Sequence, residues 1–181
     1  MRISTVMIVV FMAVSSCSSN VGITKVKNAD RKTAEKAVRF MQDHLMSQVS
    51  NAETEVIAGG MITVKGDGKG FVIDPSQVTT GQIDDDRRND AVMPVYSLSG
   101  QSLAGIEYLV LLQSPPEFVI AATLTDIISI QGISDGMITA VVSTVPYGTP
   151  GYGCEECIDT VQYRYISSGL IKLADEPAPS Q

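Results

Sequence analysis

The sequence predicts an α+β fold in which one N-terminal amphipathic helix packs on a mainly antiparallel, meander-type β-sheet. Three observations support this prediction: one early stretch with helical periodicity, a series of short apolar segments after it, and turn signals between those segments. Short connections favour antiparallel neighbours, because a parallel crossover needs about a dozen residues or more. The 181-residue chain is long enough for one domain with a substantial core.

The helix is predicted from Asp30 to about Ser50, because apolar residues recur there at spacings of three and four. Asp30 stands just before this stripe, where an N-cap is expected. His44 lies near the edge of the stripe, and a surface or half-buried position is favoured over catalysis because no partner for a general base can be identified. The apolar positions are Ala34, Val38, Met41, Leu45 and Val49.

Strand signals follow from residue 55 onwards. A glycine-rich hexapeptide at 65–70 separates Val56–Val64 from Phe71–Ile73, which predicts a hairpin; it lacks the GxxxxGK[ST] spacing of a phosphate loop. Asp135-Gly136 predicts a second tight hairpin. Alternating polar and apolar residues near the end of the chain predict a sheet with one buried face and one solvent-exposed face. The later strands are predicted at 91–96, 106–112, 118–124, 127–133, 137–145, 160–166 and 170–173.

A short hydrophobic segment near the start has the order of a secretory signal. Arg2 precedes the apolar run Val6–Val14, and small polar residues follow it. Nine apolar residues are too few for a stable bilayer span, which needs about 20. Two alternatives are an ordinary signal peptide that happens to end near a cysteine, and a buried hydrophobic helix, although the polar residues from Ser15 onwards end the pattern abruptly.

Val14-Ser15-Ser16-Cys17 resembles the lipobox of bacterial lipoproteins. The resemblance implies cleavage before Cys17, attachment of diacylglycerol to its thiol and acylation of the new amino terminus. Several acyl chains would anchor the protein firmly, since one chain alone binds a membrane only marginally. The residue after the cysteine is Ser18 and not Asp, which by the same resemblance implies the outer membrane, facing the periplasm, if the host is Gram-negative.

These observations predict four segments: a signal peptide at 1–16, a lipidated cysteine with a flexible tether at 17–29, a globular domain at 30–174 and a disordered tail at 175–181. The formal net charge of −7 argues against nucleic-acid binding, which requires clustered cations. It also argues against electrostatic binding to membranes, so that the lipid is expected to be the only membrane contact. No cofactor is expected.

An acidic segment at 81–91, with the sequence GQIDDDRRNDA, resembles a segment in a family of mostly uncharacterised small secreted proteins and lipoproteins of bacteria. The form in that family is G-D-L-N-G-D-G-x-x-D-A, followed by strands, a D-G hairpin and a loop with cysteines. Asp84, Asp86 and Asp90 are the calcium ligand candidates that remain. Gln82 and Arg87 replace a carboxylate and a glycine, which should weaken Ca²⁺ binding, so a structural turn is the main interpretation.

The spacing of Cys154 and Cys157 fits a structural disulfide, a redox-active pair or half of a metal site. A redox pair is expected at a helix start, where the helix lowers the thiol pKa, but here a strand follows and two glutamates lie between the sulfurs. A zinc site would need two further ligands. A disulfide that staples the loop is therefore the main prediction, in keeping with an oxidising compartment.

No catalytic constellation is found. Gly100–Gly105 contains GxSxxG instead of the GxSxG of a nucleophile elbow, and His44 precedes it in the wrong order. We therefore expect a non-catalytic, lipid-anchored protein of the cell envelope that binds a protein or cell-wall partner. The alternatives are an envelope thiol-disulfide oxidoreductase that uses Cys154 and Cys157, and a weak calcium-dependent binding module.

Overall fold

The computed structural model describes residues 28–100, 102–166 and 169–173. Within these ranges, the chain consists mainly of antiparallel strands, with one α-helix and two sheets. One apolar cluster lies between the helix and the larger sheet, and a second lies between the two sheets. The molecule therefore has three layers: the helix, the larger sheet and the smaller sheet.

The helix α1 (Asn28–Ser47) buries the apolar stripe that its sequence predicts. Val38, Met41 and Leu45 are at most 9% exposed and pack on the larger sheet. The helix begins two residues earlier than expected, so Asp30 lies in the first turn and not at the N-cap. There its Oδ1 accepts a hydrogen bond of 3.0 Å from Nδ2 of Asn89, which ties the start of the helix to the acidic segment.

Seven strands form the larger sheet, in which every pairing is antiparallel. The strands are β1 (Glu53–Val56), β2 (Ile62–Gly66), β3 (Lys69–Ile73), β4 (Thr79–Gly81), β5 (Asp90–Ser99), β6 (Ser102–Ser114) and β7 (Glu117–Leu124). Their spatial order is β1-β2-β3-β5-β6-β7, and β4 pairs with the first three residues of β5 while β3 pairs with its last five.

One predicted strand, Val56–Val64, is in fact parts of two. A short turn over Ala58–Gly60 separates β1 from β2 and reverses the chain. Gly59 and Gly60 both have φ of +79°, a conformation that glycine adopts without steric cost. The Gly-Gly pair is the sequence feature that indicates this turn. The short strand β4 is likewise absent from the strands that the sequence predicts.

The smaller sheet consists of four strands, β8 (Ile127–Ser134), β9 (Met137–Ser143), β10 (Ile158–Ile166) and β11 (Gly169–Leu173). Their spatial order is β11-β10-β9-β8. The predicted hairpin at Asp135-Gly136 joins β8 to β9, with positive φ at both residues. The side chains of Val161, Tyr163 and Tyr165 point towards the larger sheet, as their alternation predicts.

The predicted fold class is wrong because the strands do not form one sheet covered by an N-terminal helix. The chain changes sheets between β7 and β8 through Thr125 and Asp126, and Asp126 has φ of +59°. Its carbonyl oxygen accepts a hydrogen bond of 2.8 Å from the Ser143 amide, so the turn is held by the smaller sheet. A two-residue connection normally predicts a hairpin, but this one leads the chain into a new layer.

The central strands β5 and β6 are buried on both faces. Met93 and Leu111 pack on the helix side, whereas Val92 and Val110 pack on the side of the smaller sheet, and all four are 0% exposed. A strand that is covered on both faces needs a continuous apolar run and not an alternating one. The run Tyr-Leu-Val-Leu-Leu at 108–112 has this property.

Candidate functional site

The predicted lipidation site, Cys17, lies outside the described residues, as do the predicted signal peptide and the tail at 175–181. In the part of the chain that the structure describes, no helix has the length and hydrophobicity needed to cross a membrane. The anchor therefore remains a prediction from the sequence.

Cys154 and Cys157 are joined by a disulfide in the loop between β9 and β10. A short helical turn, Glu155–Cys157, closes the ring, and the Cys157 amide donates to the Cys154 carbonyl oxygen at 2.8 Å. The Cys157 carbonyl oxygen accepts hydrogen bonds from the amide (2.8 Å) and the hydroxyl (3.2 Å) of Thr144. The contacts of Thr144 with Cys157 thus join the two ends of the β9–β10 loop. The disulfide closes a smaller ring at the second of these ends.

The same loop is fastened to the smaller sheet by tyrosine and serine side chains. Tyr152 donates its hydroxyl hydrogen to the Ile127 carbonyl oxygen at 3.3 Å, and its ring packs edge-on against Tyr147. Ser143 Oγ accepts from the Gly153 amide at 3.3 Å. The two sulfurs stand at a three-residue turn that leads into strand β10, whereas a redox-active pair is typically followed by a long helix.

The acidic segment forms a turn that its own carboxylates stabilise. Asp84 accepts from the Asp86 amide at 3.1 Å, and Asp86 accepts from the Arg88 amide at 2.7 Å. Arg87 takes φ of +65° where the family pattern has glycine. Burial, and then the neighbouring carboxylates of Asp86 and Asp85, raise the pKa of Asp84, while the Asp86 amide opposes this rise.

Asp90 does not face the same space as the other two carboxylates. It is 0% exposed, and its Oδ2 accepts from the amides of Ile83 at 2.8 Å and Asp84 at 3.4 Å. Its Oδ1 accepts from the Gln113 amide at 2.9 Å. Burial raises the pKa of the Asp90 carboxyl, although these amide donors act in the opposite direction. Asp90 is therefore a structural link between the acidic turn and strand β6.

Within the described residues, no group of three or more His, Cys, Asp or Glu side chains is arranged to hold a metal ion. The three calcium ligand candidates are not brought together, because Asp84 and Asp86 bind backbone amides of the turn while Asp90 points into the protein.

His44 is half-buried at the edge of α1, beside a cleft of about 380 Å³ between the helix and the β6–β7 turn. Its ring stacks on Phe40 with 6.2 Å between the ring centres, and Nε2 lies 2.8 Å from Nε2 of Gln48. A second cleft of about 400 Å³ lies between the helix and β2. Arg39 lines both clefts, so it stands at the middle of the helix surface.

Ser102 is the serine of the GxSxxG segment at Gly100–Gly105. It is exposed at the start of β6 and pairs with Ser99 across the hairpin. Its position is part of a turn in which Gly100 has φ of +63°. This hairpin end is a different region from the cleft beside His44, which is lined by the other end of β6.

The outer face of the smaller sheet is a surface that the sequence reasoning did not identify. The register places Ile158, Ile166 and Ile171 on this face, and they are 42%, 38% and 40% exposed. Among the paired positions that the register places on the outer face within the described residues, Arg164 alone carries a charge. The other paired positions there are Ser129, Gly132, Ser134, Met137, Thr139, Val141, Ser143, Thr160, Gln162, Gly169 and Leu173.

This face is turned away from the helix, because the larger sheet lies between them. A signal for it was available: β10 alternates between two sets of residues, and the set opposite the tyrosines has isoleucine at both ends and only one charged residue, Arg164. No protein-family model, curated protein or solved structure matches the chain. The family resemblance of the acidic segment therefore remains a prediction.

Proposed function

We propose that the protein is a non-catalytic, lipid-anchored component of a bacterial cell envelope that binds a partner protein through the outer face of its smaller sheet. The anchor is supported by the lipobox-like sequence ending in Cys17. In a Gram-negative host, the protein would be held at the outer membrane and face the periplasm. No cofactor is part of this proposal.

The observation that carries the binding proposal is the composition of the outer face. Charged residues are normally abundant on a soluble surface, and the core of a protein interface is depleted of them. Three isoleucines near 40% exposure share this face with threonine, glutamine and valine and with one charged residue, Arg164, which is the composition of an interface centre. Ile166 and Ile171 lie on neighbouring strands at one end of the face, and Ile158 lies at the other end of β10. Neighbouring exposed apolar groups are typical of binding sites, whereas single exposed apolar residues are common everywhere.

The anchor is tested by mass spectrometry of the full-length protein purified from host membranes. We expect the amino-terminal peptide to begin at Cys17 and to carry the mass of acyl chains. A peptide that begins at another residue, or an unmodified Cys17, would refute the anchor. A secreted Cys17→Ala chain, which cannot be lipidated, should also lose the cellular role. If this chain kept full function, the result would argue against the proposal.

The binding face is tested by crosslinking the lipidated protein in cells and identifying the captured partners by mass spectrometry. Ile166→Asp and Ile171→Asp should each reduce capture of the dominant partner at least tenfold, because each replaces an apolar side chain in the interface by a carboxylate that is costly to remove from water. The matched control is Val119→Asp, which changes a 48% exposed residue on β7 of the other sheet. Equal losses in all three variants, or capture of cell-wall fragments alone, would refute the protein-binding face.

Thiol-disulfide exchange at Cys154 and Cys157 is the alternative function. The geometry supports it less well, since the pair stands at a turn before a strand and its ring is tied down by Thr144. Capture of many client proteins through these sulfurs, lost on reduction, would support exchange in place of binding.

A further inference from the structure

The charges of this protein are strongly segregated along the chain. Residues 25–39 contain six Lys and Arg against two Asp and Glu, a formal charge of +4. Residues 40–181 contain six Lys and Arg against eighteen Asp and Glu, a formal charge of −12. The overall charge of −7 hides this asymmetry, and the cationic segment directly follows the predicted anchor.

In the structure, the cationic residues of α1 lie on its exposed face. Arg31, Lys32, Lys36 and Arg39 are all exposed, and the side chain of Arg31 is 77% exposed. Helical spacing places these four residues within one arc, centred opposite the buried stripe of Ala37, Met41 and Leu45. Two acidic residues share the arc: Glu35 is paired with Arg31 at 3.0 Å, and Asp43 lies beyond Arg39.

The clefts on both sides of the helix contain these same cations beside apolar side chains. Lys36 and Arg39 line the first cleft with Phe40 and Phe118, and Arg31 and Arg39 line the second with Ile62. Asp43 and Glu117 also line the first cleft, and Glu35 lines the second. Cations above apolar walls suit a phosphate-bearing, amphipathic group better than a free inorganic anion.

The anchor restricts where this surface can lie. Ten residues separate Cys17 from Asn28, and even a fully extended chain of that length reaches only about 35 Å. A lipidated Cys17 would therefore keep the start of α1 close to the bilayer. An anionic bilayer attracts clusters of Lys and Arg within a Debye length of its surface and repels an acidic body.

We propose that the exposed face of α1, defined by Arg31, Lys32, Lys36 and Arg39, lies against anionic phospholipid headgroups and orients the domain on the membrane. The inference rests on the proposed lipid anchor and adds a second, electrostatic membrane contact to it. The acidic bulk of the domain then faces away from the bilayer. Because the three layers place the outer face of the smaller sheet opposite α1, this orientation presents that face to the aqueous compartment.

The chain contains no tryptophan, so a single introduced tryptophan is the only source of tryptophan fluorescence in the test. Met46→Trp places the probe on the exposed face of α1, and Ile171→Trp places a matched probe on the opposite side of the molecule; the native residues are 36% and 40% exposed. Each full-length lipidated variant is reconstituted into phosphatidylcholine vesicles that contain a fixed fraction of brominated phosphatidylcholine, with or without 30% phosphatidylglycerol.

We expect bromine to quench Met46→Trp at least twofold more strongly in the phosphatidylglycerol vesicles, and 0.5 M NaCl to remove that difference. Ile171→Trp should show no such difference. Replacing Lys32, Lys36 and Arg39 by Gln should abolish the dependence on phosphatidylglycerol at the Met46 probe, while circular dichroism shows that the fold is kept. Equal quenching at the two probes, or quenching that is unaffected by the Gln substitutions, would overturn the proposal.

The mass of Cys17 in the same preparation separates failure of this inference from failure of the anchor. Acylated protein without charge-dependent quenching overturns the oriented contact and leaves the anchor in place. If Cys17 carries no acyl chain, the anchor fails, and flotation of the chain with phosphatidylglycerol vesicles becomes the test. If the chain floats with these vesicles and the Gln substitutions abolish flotation, the result supports the cationic surface. If the unsubstituted chain does not float, the result refutes it.

Discussion

The two faces of the larger sheet bury different kinds of side chain. On the helix side, the core contains Met41, Met93 and all three described phenylalanines, which are Phe40, Phe71 and Phe118. Between the two sheets, the core contains branched aliphatic residues with Tyr108, Tyr163 and Tyr165. A helix on a sheet leaves irregular gaps that flexible methionines fill, whereas two sheets stack at a nearly constant spacing of about 10 Å.

The tyrosines show why the second core tolerates hydroxyl groups. Tyr108 is 4% exposed, yet its hydroxyl donates to the Ile128 carbonyl oxygen at 3.0 Å on the edge of the smaller sheet. Burial raises the pKa of Tyr108 to about 12, so it remains a neutral donor. No side-chain polar atom within the described residues is buried without a partner. Tyrosine therefore suits a core layer whose edge offers backbone carbonyl groups as acceptors.

The largest effect is expected when both cores are weakened together. Met41→Ala and Ile138→Ala each remove a 0% exposed side chain, one from each core, and each should lower the free energy of unfolding by about 3 kcal/mol. Since the larger sheet separates the sites, the double variant should lose about 6 kcal/mol, additive to within about 0.5 kcal/mol. Urea unfolding followed by circular dichroism measures all three values, and strong coupling would show that the cores act as one.

Gly81→Ala should disturb only the contact between the sheets. A Cβ at Gly81 would lie 2.7 Å from Cβ and 3.0 Å from the carbonyl oxygen of Ile133 on β8, so the two strands would have to separate. We expect a loss of about 2 kcal/mol in the free energy of unfolding. Gly132→Ala is the matched control, because nothing lies within 4 Å of its Cβ, and thermal unfolding of both variants compares them.

Asp90→Asn should release the acidic turn from β6 and loosen Ile83, which is 1% exposed in the core between the sheets. Asparagine has one acceptor oxygen where Asp90 uses two, so the side-chain NH₂ group would face a backbone N–H donor. We expect a loss of about 2 kcal/mol in the free energy of unfolding at pH 7. Asp86→Asn, which changes the exposed part of the turn, is the control and should cost less.

The raised pKa of Asp90 gives this comparison a defined pH dependence. Because burial raises the pKa of the Asp90 carboxyl in the folded state above its ordinary value of 3.8, the folded form binds the proton more tightly than the unfolded form does. The stability advantage of the native protein over Asp90→Asn should therefore be greatest below pH 3.8 and decrease as pH rises through the folded-state pKa. Urea unfolding between pH 3 and 7 measures this, and an advantage that grows over the range would contradict the sign.

The smallest effect is expected from the disulfide. Cys157→Ser opens a ring of four residues, and we expect a loss of roughly 1 to 2 kcal/mol in the free energy of unfolding because a short loop has little entropy to release. Thr144 still holds the loop. A disulfide reductase assay on the native protein and on Cys157→Ser decides between the two roles, since turnover that disappears in the variant would favour the oxidoreductase alternative.

Much of the local structure could be predicted, and the functional surfaces could not. The stripe of α1, the hairpin at Asp135-Gly136 and most strands follow from periodicity and turn residues in short windows. The inward direction of Asp90 could not be predicted, because three backbone amides from separate segments meet at its carboxylate. The outer face of the smaller sheet was also missed, since its isoleucines come from different strands and only pairing brings them together.

The helix, most of the extended segments and the apolar face of each could be predicted from the amino-acid sequence, because these properties depend on spacing along the chain. The sequence also determined the segregation of charge and the lipobox-like segment. Two features are visible only in the folded molecule: Asp126 leads the chain into a second sheet, and β5 and β6 are covered on both faces. The physical reason is that period-two alternation fixes the direction of a side chain, while the choice of partner strand depends on which distant apolar surfaces are buried together.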